Sequence, residues 1–389
     1  MSNKIKALLL NMALLAGSLL FCFLVFEFVI FKYILKTSDP IPNTSFNNVV
    51  RYEPLSKATL YEPDGSSHTV EINQHGWNSS HKVYNELKPA GTTRIAVIGD
   101  SYVQASAVNV KEGFADVVEQ QLNKDGIKAE VYRFGIDGAP LTQYLHMLRR
   151  EALKYNPDIV VLQLIHNDFD ESYRFLYGRY SSSFMKVKLQ GDTITEVAPE
   201  PYKPGTIDML KKSSTFRYLY YQTGLALTIR RLINLTNGGG DKEQAAPVTE
   251  PKHGFIQSAV DVRNITEMDK IRRVTAYTFK ELVKLQKKHG FKLLIAMDPV
   301  REAIYTGKPS SEYEANRLNE IAMDEALKNN IAFLDLGTAM RADYKANEKK
   351  FEFPWDWHWN KQGNQIAGQA IAAKLKQMNA EAKTAETSN

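Results

Sequence analysis

The sequence predicts a three-layer α/β/α domain around a roughly five-stranded parallel sheet, with one N-terminal transmembrane helix ahead of it and an insertion within it. Three observations carry that expectation. From Arg94 onward, short apolar runs bounded by Gly, Asp and Pro alternate with longer segments of helical period. Such runs are how strands covered on both faces by helices read, and they favour a parallel sheet. Ahead of the alternation, Ala7 to Phe31 is almost uninterrupted apolar sequence, about the length that crosses a bilayer. Between Asp170 and Glu267 the alternation stops for far longer than a connecting loop requires.

Taken in order, residues 1–37 read as a membrane anchor. Their apolar run exceeds the ~7–15 residues of a cleaved signal peptide, and no small-residue cleavage pattern follows it. Lys4 and Lys6 precede the span and Lys32 and Lys36 follow it, so flanking charge is balanced. A leader this short is expected to stay in the cytoplasm. The expected address is therefore the inner membrane, single-pass, with the main domain periplasmic. Glu27 stands near the far end of the span, where a carboxylate reaches the interface. Residues 38–90 contain Pro40, Pro42, Pro54, Pro63 and Pro89 and show no sustained period; they read as an extended stalk with a short β decoration.

The main domain is expected over residues 91–378. Its first strand is 94–98, followed by a helix with Phe114, Val117, Val118 and Leu122 on one face and Gly126 at its close. A strand at 129–135, a helix from Leu141 to Lys154 and a strand at 158–165 come next. An insertion occupies about 171–266. Within it, 215–235 has the spacing of an amphipathic helix, open to packing on the main domain, to a lid, to a membrane-facing surface or to an acceptor contact. Residues 236–254 have the Gly, Pro and charged composition of a loop. Beyond it follow a helix at 267–289, a strand at 292–298, a helix at 312–328, a strand at 331–336 and a helix at 361–377. Residues 379–389 read as a disordered tail.

Composition removes several function classes. The formal charge of +5 arises from 49 basic and 44 acidic residues scattered along the chain, without the basic stripe a nucleic-acid binder needs. The single cysteine, Cys22, excludes intrachain disulfides and a Cys-rich zinc site.

Four polar segments carry the chemistry. Gly99-Asp100-Ser101 ends the first strand where a helix is about to begin, the edge at which open parallel sheets bind ligands. A serine there presents its hydroxyl beside backbone N–H groups that point at incoming negative charge. The segments "RFGIDGAP" at 133–140 and "LIHNDFD" at 164–170 end two further strands at the same edge. Taken alone, Gly138 reads as a tight turn and Asn167 as a turn or cap residue. Near the C-terminus "FPWDWHWNKQG" places Asp356 and His358 just before the last helix, among Trp355, Trp357 and Trp359.

In order and residue type these segments resemble the SGNH, or GDSL-type, hydrolases, whose core is flavodoxin-like. Ser101 matches the nucleophile block, Gly138 the glycine block, Asn167 the asparagine block and His358 the histidine block. The segment "EINQHGWNSSH" at 71–81 is similar to one that precedes the nucleophile block in bacterial members with an N-terminal span. Two positions depart from the usual pattern. Trp355 stands three residues before His358, where many members have Asp, and Asp356 stands two before it. Tyr102, in place of the usual Leu, follows the serine, with an effect expected on packing.

The resemblance implies an acyl-enzyme mechanism with Ser101 as nucleophile, His358 as general base and Asp356 behind it, in preference to a backbone carbonyl or a more distant acid. The oxyanion hole would be the backbone N–H groups of Ser101 and Gly138 with the Asn167 side chain. Asp100 braces the loop. His166 is open between a substrate contact and a buried structural role. No cofactor and no metal are called for. The expected substrate is an acylated cell-envelope carbohydrate, peptidoglycan or lipid, hydrolysed by a serine esterase or deacylase. O-acyl transfer to a glycan hydroxyl is the alternative within the same chemistry, and a non-catalytic carbohydrate-binding or scaffold protein is the alternative outside it.

Overall fold

The computed structural model describes residues 3–174, 181–222 and 267–387. Helix α1 (Asn3–Val25) continues as a π-helical stretch, Phe26–Ile34. Together they form one helix long and apolar enough to cross a membrane, by length and composition, a test that a signal sequence also passes. Four short strands follow, β1 (Asn43–Phe46), β2 (Val49–Tyr52), β3 (Lys57–Tyr61) and β4 (Ser67–Glu71). The alternating part then runs β5 (Thr93–Gly99), α2 (Ser101–Gln104), α3 (Phe114–Lys124), β6 (Ala129–Gly135), α4 (Leu141–Arg150) and β7 (Ile159–Leu164). Next come a ribbon of β8 (Lys186–Gln190) and β9 (Thr193–Val197), and the helices α5 (Thr206–Leu210) and α6 (Ser214–Gln222). The last part comprises α7 (Met268–His289), β10 (Lys292–Met297), α8 (Arg301–Thr306), α9 (Asn316–Lys328), β11 (Ala332–Asp335) and α10 (Gly337–Asn347). A ribbon of β12 (Glu352–Phe353) and β13 (Asp356–Trp359) and helix α11 (Lys361–Thr387) end it.

Five parallel strands form one sheet in the order β11-β10-β7-β5-β6. The strand that enters first, β5, lies between β6 and β7. The chain moves to one edge through β6, returns to β7 on the other side of β5, and continues to the opposite edge. Loops after β5 and β7 therefore diverge, which opens a crevice at their carboxyl ends. Along β5, Ile95 and Val97 belong to a core with Phe114 and Val118 of α3 and Ile371 and Leu375 of α11. The intervening Ala96 and Ile98 are equally buried from the other face, where α4 packs on α7. That double cover is why these strands read as unbroken apolar runs.

The chain divides into two compact units, one of Met1–Pro42, Ala58–His68 and Pro204–Ala245, the other of Asn43–Lys57, Thr69–Lys203 and Ala246–Asn389. Within 38–90 the expected short β decoration is present as the two-stranded pairs β1–β2 and β3–β4, while the rest of the segment is less extended than the stalk expected there. Most of that segment belongs to the unit that holds the sheet, because single aromatic residues anchor it. Trp77 and Tyr84 are buried, Trp77 edge-on to Phe134 and Tyr84 stacked on Tyr132 with ring centroids 4.1 Å apart. The expected tail after Met378 is also corrected, since α11 continues to Thr387. Its last residues are rich in Ala, Glu and Lys, strong helix formers that extend a helix without needing a core. The helix expected from Leu141 to Lys154 ends at Arg150 and gives way to a 3-10 turn. Residues 223–235 of the expected amphipathic helix, and the loop composition at 236–254, lie outside the described residues.

Candidate active site

At the end of β5 the backbone turns sharply into α2. Asp100 caps that helix, its Oδ1 accepting the Tyr102 N–H at 2.9 Å, so its carboxylate braces the turn. Burial pushes the Asp100 carboxyl up to about 6, against the opposing pull of the Tyr102 N–H and the His358 charge. The turn passes directly over β6. A Cβ on Gly135 would stand 2.2 Å from the Gln104 nitrogen, so only glycine lets α2 sit this low. From the other side Asn78 Nδ2 donates to the Gln104 carbonyl at 2.7 Å. Asn78 was not singled out by sequence reasoning, although it lies in the 71–81 segment that was.

The ribbon of β12 and β13 brings His358 to this turn. Asp356 Oδ1 accepts the Nδ1–H of His358 at 2.7 Å and its backbone N–H at 3.2 Å. One carboxylate thus fixes both the ring and the strand that carries it. His358 Nε2 lies 2.7 Å from Ser101 Oγ. Asp356, His358 and Ser101 therefore form one continuous chain of hydrogen bonds across residues far apart in sequence. Burial opposes the imidazolium, but the hydrogen bond and charge of Asp356, with the charges of Asp137 and Asp100 behind, hold the His358 pKa above its ordinary value. A base so placed can take the serine proton and keep the resulting positive charge.

Gly138 and Asn167 occupy the loops after β6 and β7, on either side of the β5 turn. Gly138 has φ +70°, a left-handed conformation that glycine adopts without strain. The Ile136 N–H bonds the Gly99 carbonyl at 3.4 Å, tying the first loop to the turn after β5. Asn167 sits in a 3-10 turn held by the buried Asp168, which accepts from the Ile165 N–H at 2.8 Å and from the Tyr144 hydroxyl at 2.7 Å. The Asn167 Oδ1 is buried without a hydrogen-bond partner. Among the described residues, neither Gly138 nor Asn167 bonds the Ser101 side chain. His166 is buried and bonded through Nε2 to Asn319 Oδ1 at 2.8 Å, and burial pushes its pKa down to about 4. It is a neutral structural residue. Among the described residues no group of three or more His, Cys, Asp or Glu side chains is arranged to hold a metal ion.

Tyr102 does more than pack. Its hydroxyl donates to the Trp357 carbonyl at 2.8 Å and accepts from Arg301 Nη2 at 2.7 Å. It thereby latches the ribbon carrying Asp356 and His358 to α2. Arg301 is itself buried between Asp298 and Glu352. Nothing in the spacing of the sequence marks Arg301; only the tyrosine in an unusual place hints at the latch. Tyr102→Phe should keep the ring contacts with His358 and Trp359 yet leave a buried carbonyl and a guanidinium N–H unpaired. The expected cost is about 1–3 kcal/mol of stability. We expect kcat on a short acyl ester to fall roughly tenfold with KM little changed, the mark of a misplaced base. Steady-state kinetics alongside thermal denaturation measures both.

Two family profiles match the chain. The profile described as the SGNH hydrolase-like domain of the acetyltransferase AlgX matches residues 258–389, and that of the GDSL-like lipase/acylhydrolases matches residues 95–200. The second match contains Ser101, Gly138 and Asn167, and the first contains Asp356 and His358. Similar solved structures include an acetyl xylan esterase, with 16% identity, a TM-score of 0.38 and coverage of 72% of this chain and 99% of that one. A lipase/acylhydrolase from Enterococcus faecalis has 15% identity and a TM-score of 0.38, covering 74% of this chain and 96% of its own. No curated protein matches.

Proposed function

The chain is a member of the SGNH hydrolase superfamily, and from that premise we propose that it is a serine esterase or deacylase acting through an acyl-enzyme. The observation that carries this reading is the unbroken chain Asp356–His358–Ser101, with both links at 2.7 Å. Ser101 Oγ attacks the ester carbonyl as His358 Nε2 takes its proton, and Asp356 stabilises the imidazolium. Collapse of the tetrahedral intermediate expels the alcohol, protonated by His358, and leaves an acyl group on Ser101. Water or another hydroxyl, deprotonated by the same histidine, then removes it. The oxyanion is held by the N–H groups of Ser101 and Gly138 and by the Asn167 amide. A half-turn of that amide puts Nδ2 where the unpartnered Oδ1 stands.

The substrate class we propose is an acylated component of the cell envelope, a polysaccharide, peptidoglycan or lipid. This follows from reading Ala7 to Phe31 as an inner-membrane span with the catalytic unit on the periplasmic side. A second reading, O-acyl transfer to a glycan hydroxyl, is favoured by one observation: the profile that matches around His358 is named for an acetyltransferase. The two readings share every step to the acyl-enzyme and differ in what accepts the acyl group. Incubating the purified protein with an acetyl ester donor and an acceptor oligosaccharide, followed by mass spectrometry, separates them. Free acid as the main product is expected; an acylated sugar formed in its place would give the transferase reading precedence. The non-catalytic reading fails if a fluorophosphonate labels Ser101, since labelling requires an activated serine.

A further inference from the structure

We propose that the segment Thr206–Gln222 is a membrane-surface element, seated at the polar boundary of an anionic phospholipid bilayer beside the N-terminal helix. The proposal rests on the reading of that helix as a membrane span.

Glu27 is the only charged residue within the apolar run Ala7 to Phe31. A carboxylate there is costly unless it is satisfied. Its partners are all at the start of α6: it accepts from the Ser214 N–H at 2.7 Å, the Thr215 N–H at 2.8 Å and the Ser213 hydroxyl at 2.8 Å. These N–H groups have no partner within their own helix. The carboxylate and the helix start therefore complete each other, and α6 must begin at the depth of Glu27, near the end of the span. One turn further along each helix, Phe31 packs on Tyr218 with ring centroids 4.6 Å apart. The contact is thus a two-turn seam rather than a single bond.

What this seam leaves outward is unlike an ordinary soluble surface. Met209, Leu210, Leu219 and Tyr221 are 63%, 44%, 40% and 58% exposed, and so are Tyr33 and Ile34 at the span's own end, at 65% and 62%. Lys211 Nζ stands 4.5 Å above the Tyr220 ring and 5.2 Å above that of Tyr221, and Lys212 is exposed beside it. Tyrosines with apolar neighbours and a lysine charge at their edge are the composition of a membrane interface. Lysines at that depth attract anionic headgroups.

The test uses the full chain, with Cys22→Ser removing its one cysteine, reconstituted into bilayers with and without phosphatidylglycerol. Nitroxide labels are placed singly at Leu14→Cys, Leu219→Cys and Lys345→Cys. At Leu219 we expect oxygen to relax the label more than a water-soluble nickel chelate does, with the reverse order at Lys345. Charge reversal by Lys211→Glu and Lys212→Glu together should shift the Leu219 label toward water in the anionic bilayer. A Leu219 label as aqueous as that at Lys345 overturns the proposal, and so does immersion indifferent to both lipid charge and lysine reversal. The Leu14 label separates the two readings: lipid-buried Leu14 with aqueous Leu219 sinks only the surface element, whereas an aqueous Leu14 sinks the span itself.

Discussion

Replacing Ser101 by alanine is expected to abolish turnover of a short acyl ester, a loss of about 10⁴-fold or more, while the protein stays folded. In the proposed mechanism the Ser101 hydroxyl oxygen forms the covalent bond, and neither neighbouring group can take its place. Asp100, 3.2 Å from Ser101 Oγ, is engaged in capping α2, and His358 is engaged by Asp356. Removing the hydroxyl takes away its own bonds to Asp100 Oδ2 and His358 Nε2 but leaves the α2 cap and the Asp356–His358 pair in place, so the protein should stay folded with a modest loss of thermal stability. Asn167→Ala is expected to be milder, about 10²–10³-fold, because two backbone donors remain for the oxyanion. Ester hydrolysis measured on both variants, with fluorophosphonate labelling of the wild type, checks the ranking. Full activity in Ser101→Ala would end the hydrolase reading. Equal losses in the two variants would mean that Asn167 holds the turn rather than the oxyanion.

The sheet and its reactive edge were legible in the sequence for a physical reason. Strands buried on both faces must be continuous apolar runs, so β5, β7 and β10 stand out without any partner being known, whereas the edge strand β6 carries Glu130 and Arg133. Residues placed where such runs stop are automatically at the carboxyl edge. That is why Ser101, Gly138 and Asn167 could be gathered before the fold was seen. His358 was legible through its place in the ordered set rather than through local pattern. What escaped reading depends on contacts between residues distant in sequence. Tyr84 stacks on Tyr132, and Trp77 meets Phe134 edge-on, so a proline-rich segment that looks extended is folded onto the sheet. Tyr102 meets Trp357 and Arg301 across a gap no periodicity spans. Glu27 looked like an interfacial charge, and its bonds to Ser213, Ser214 and Thr215 could not be inferred from either segment alone.

Asp356→Asn is the second substitution with a large expected effect, and its signature is in pH. Only neutral His358 can accept the Ser101 proton. Because the bond and charge of Asp356 outweigh burial, the folded pKa of His358 lies above its ordinary value of about 6.5, and kcat/KM should rise with pH through a midpoint above that figure. The amide keeps an acceptor for Nδ1–H but removes the charge. Burial then dominates, the midpoint moves to lower pH, and the plateau falls about 10²–10⁴-fold because the imidazolium formed during attack is no longer stabilised. The pair also links pH to stability, with a definite sign. A raised histidine pKa stabilises the fold fully below the unfolded value and is lost as pH rises through the folded one. For Asp356, burial raises the pKa but the bond and charge of His358 outweigh it, so its value is depressed; that contribution is present above about 3.9 and lost as pH falls through the folded pKa. Both contributions are complete between roughly pH 4 and 6.5, where His358 is mostly protonated and activity is low. Denaturation followed from alkaline pH down to about 6.5 should therefore show the wild type gaining stability, relative to Asp356→Asn, as its activity falls. A catalytic limb unmoved by the substitution would mean that another acid, or a backbone carbonyl, orients His358.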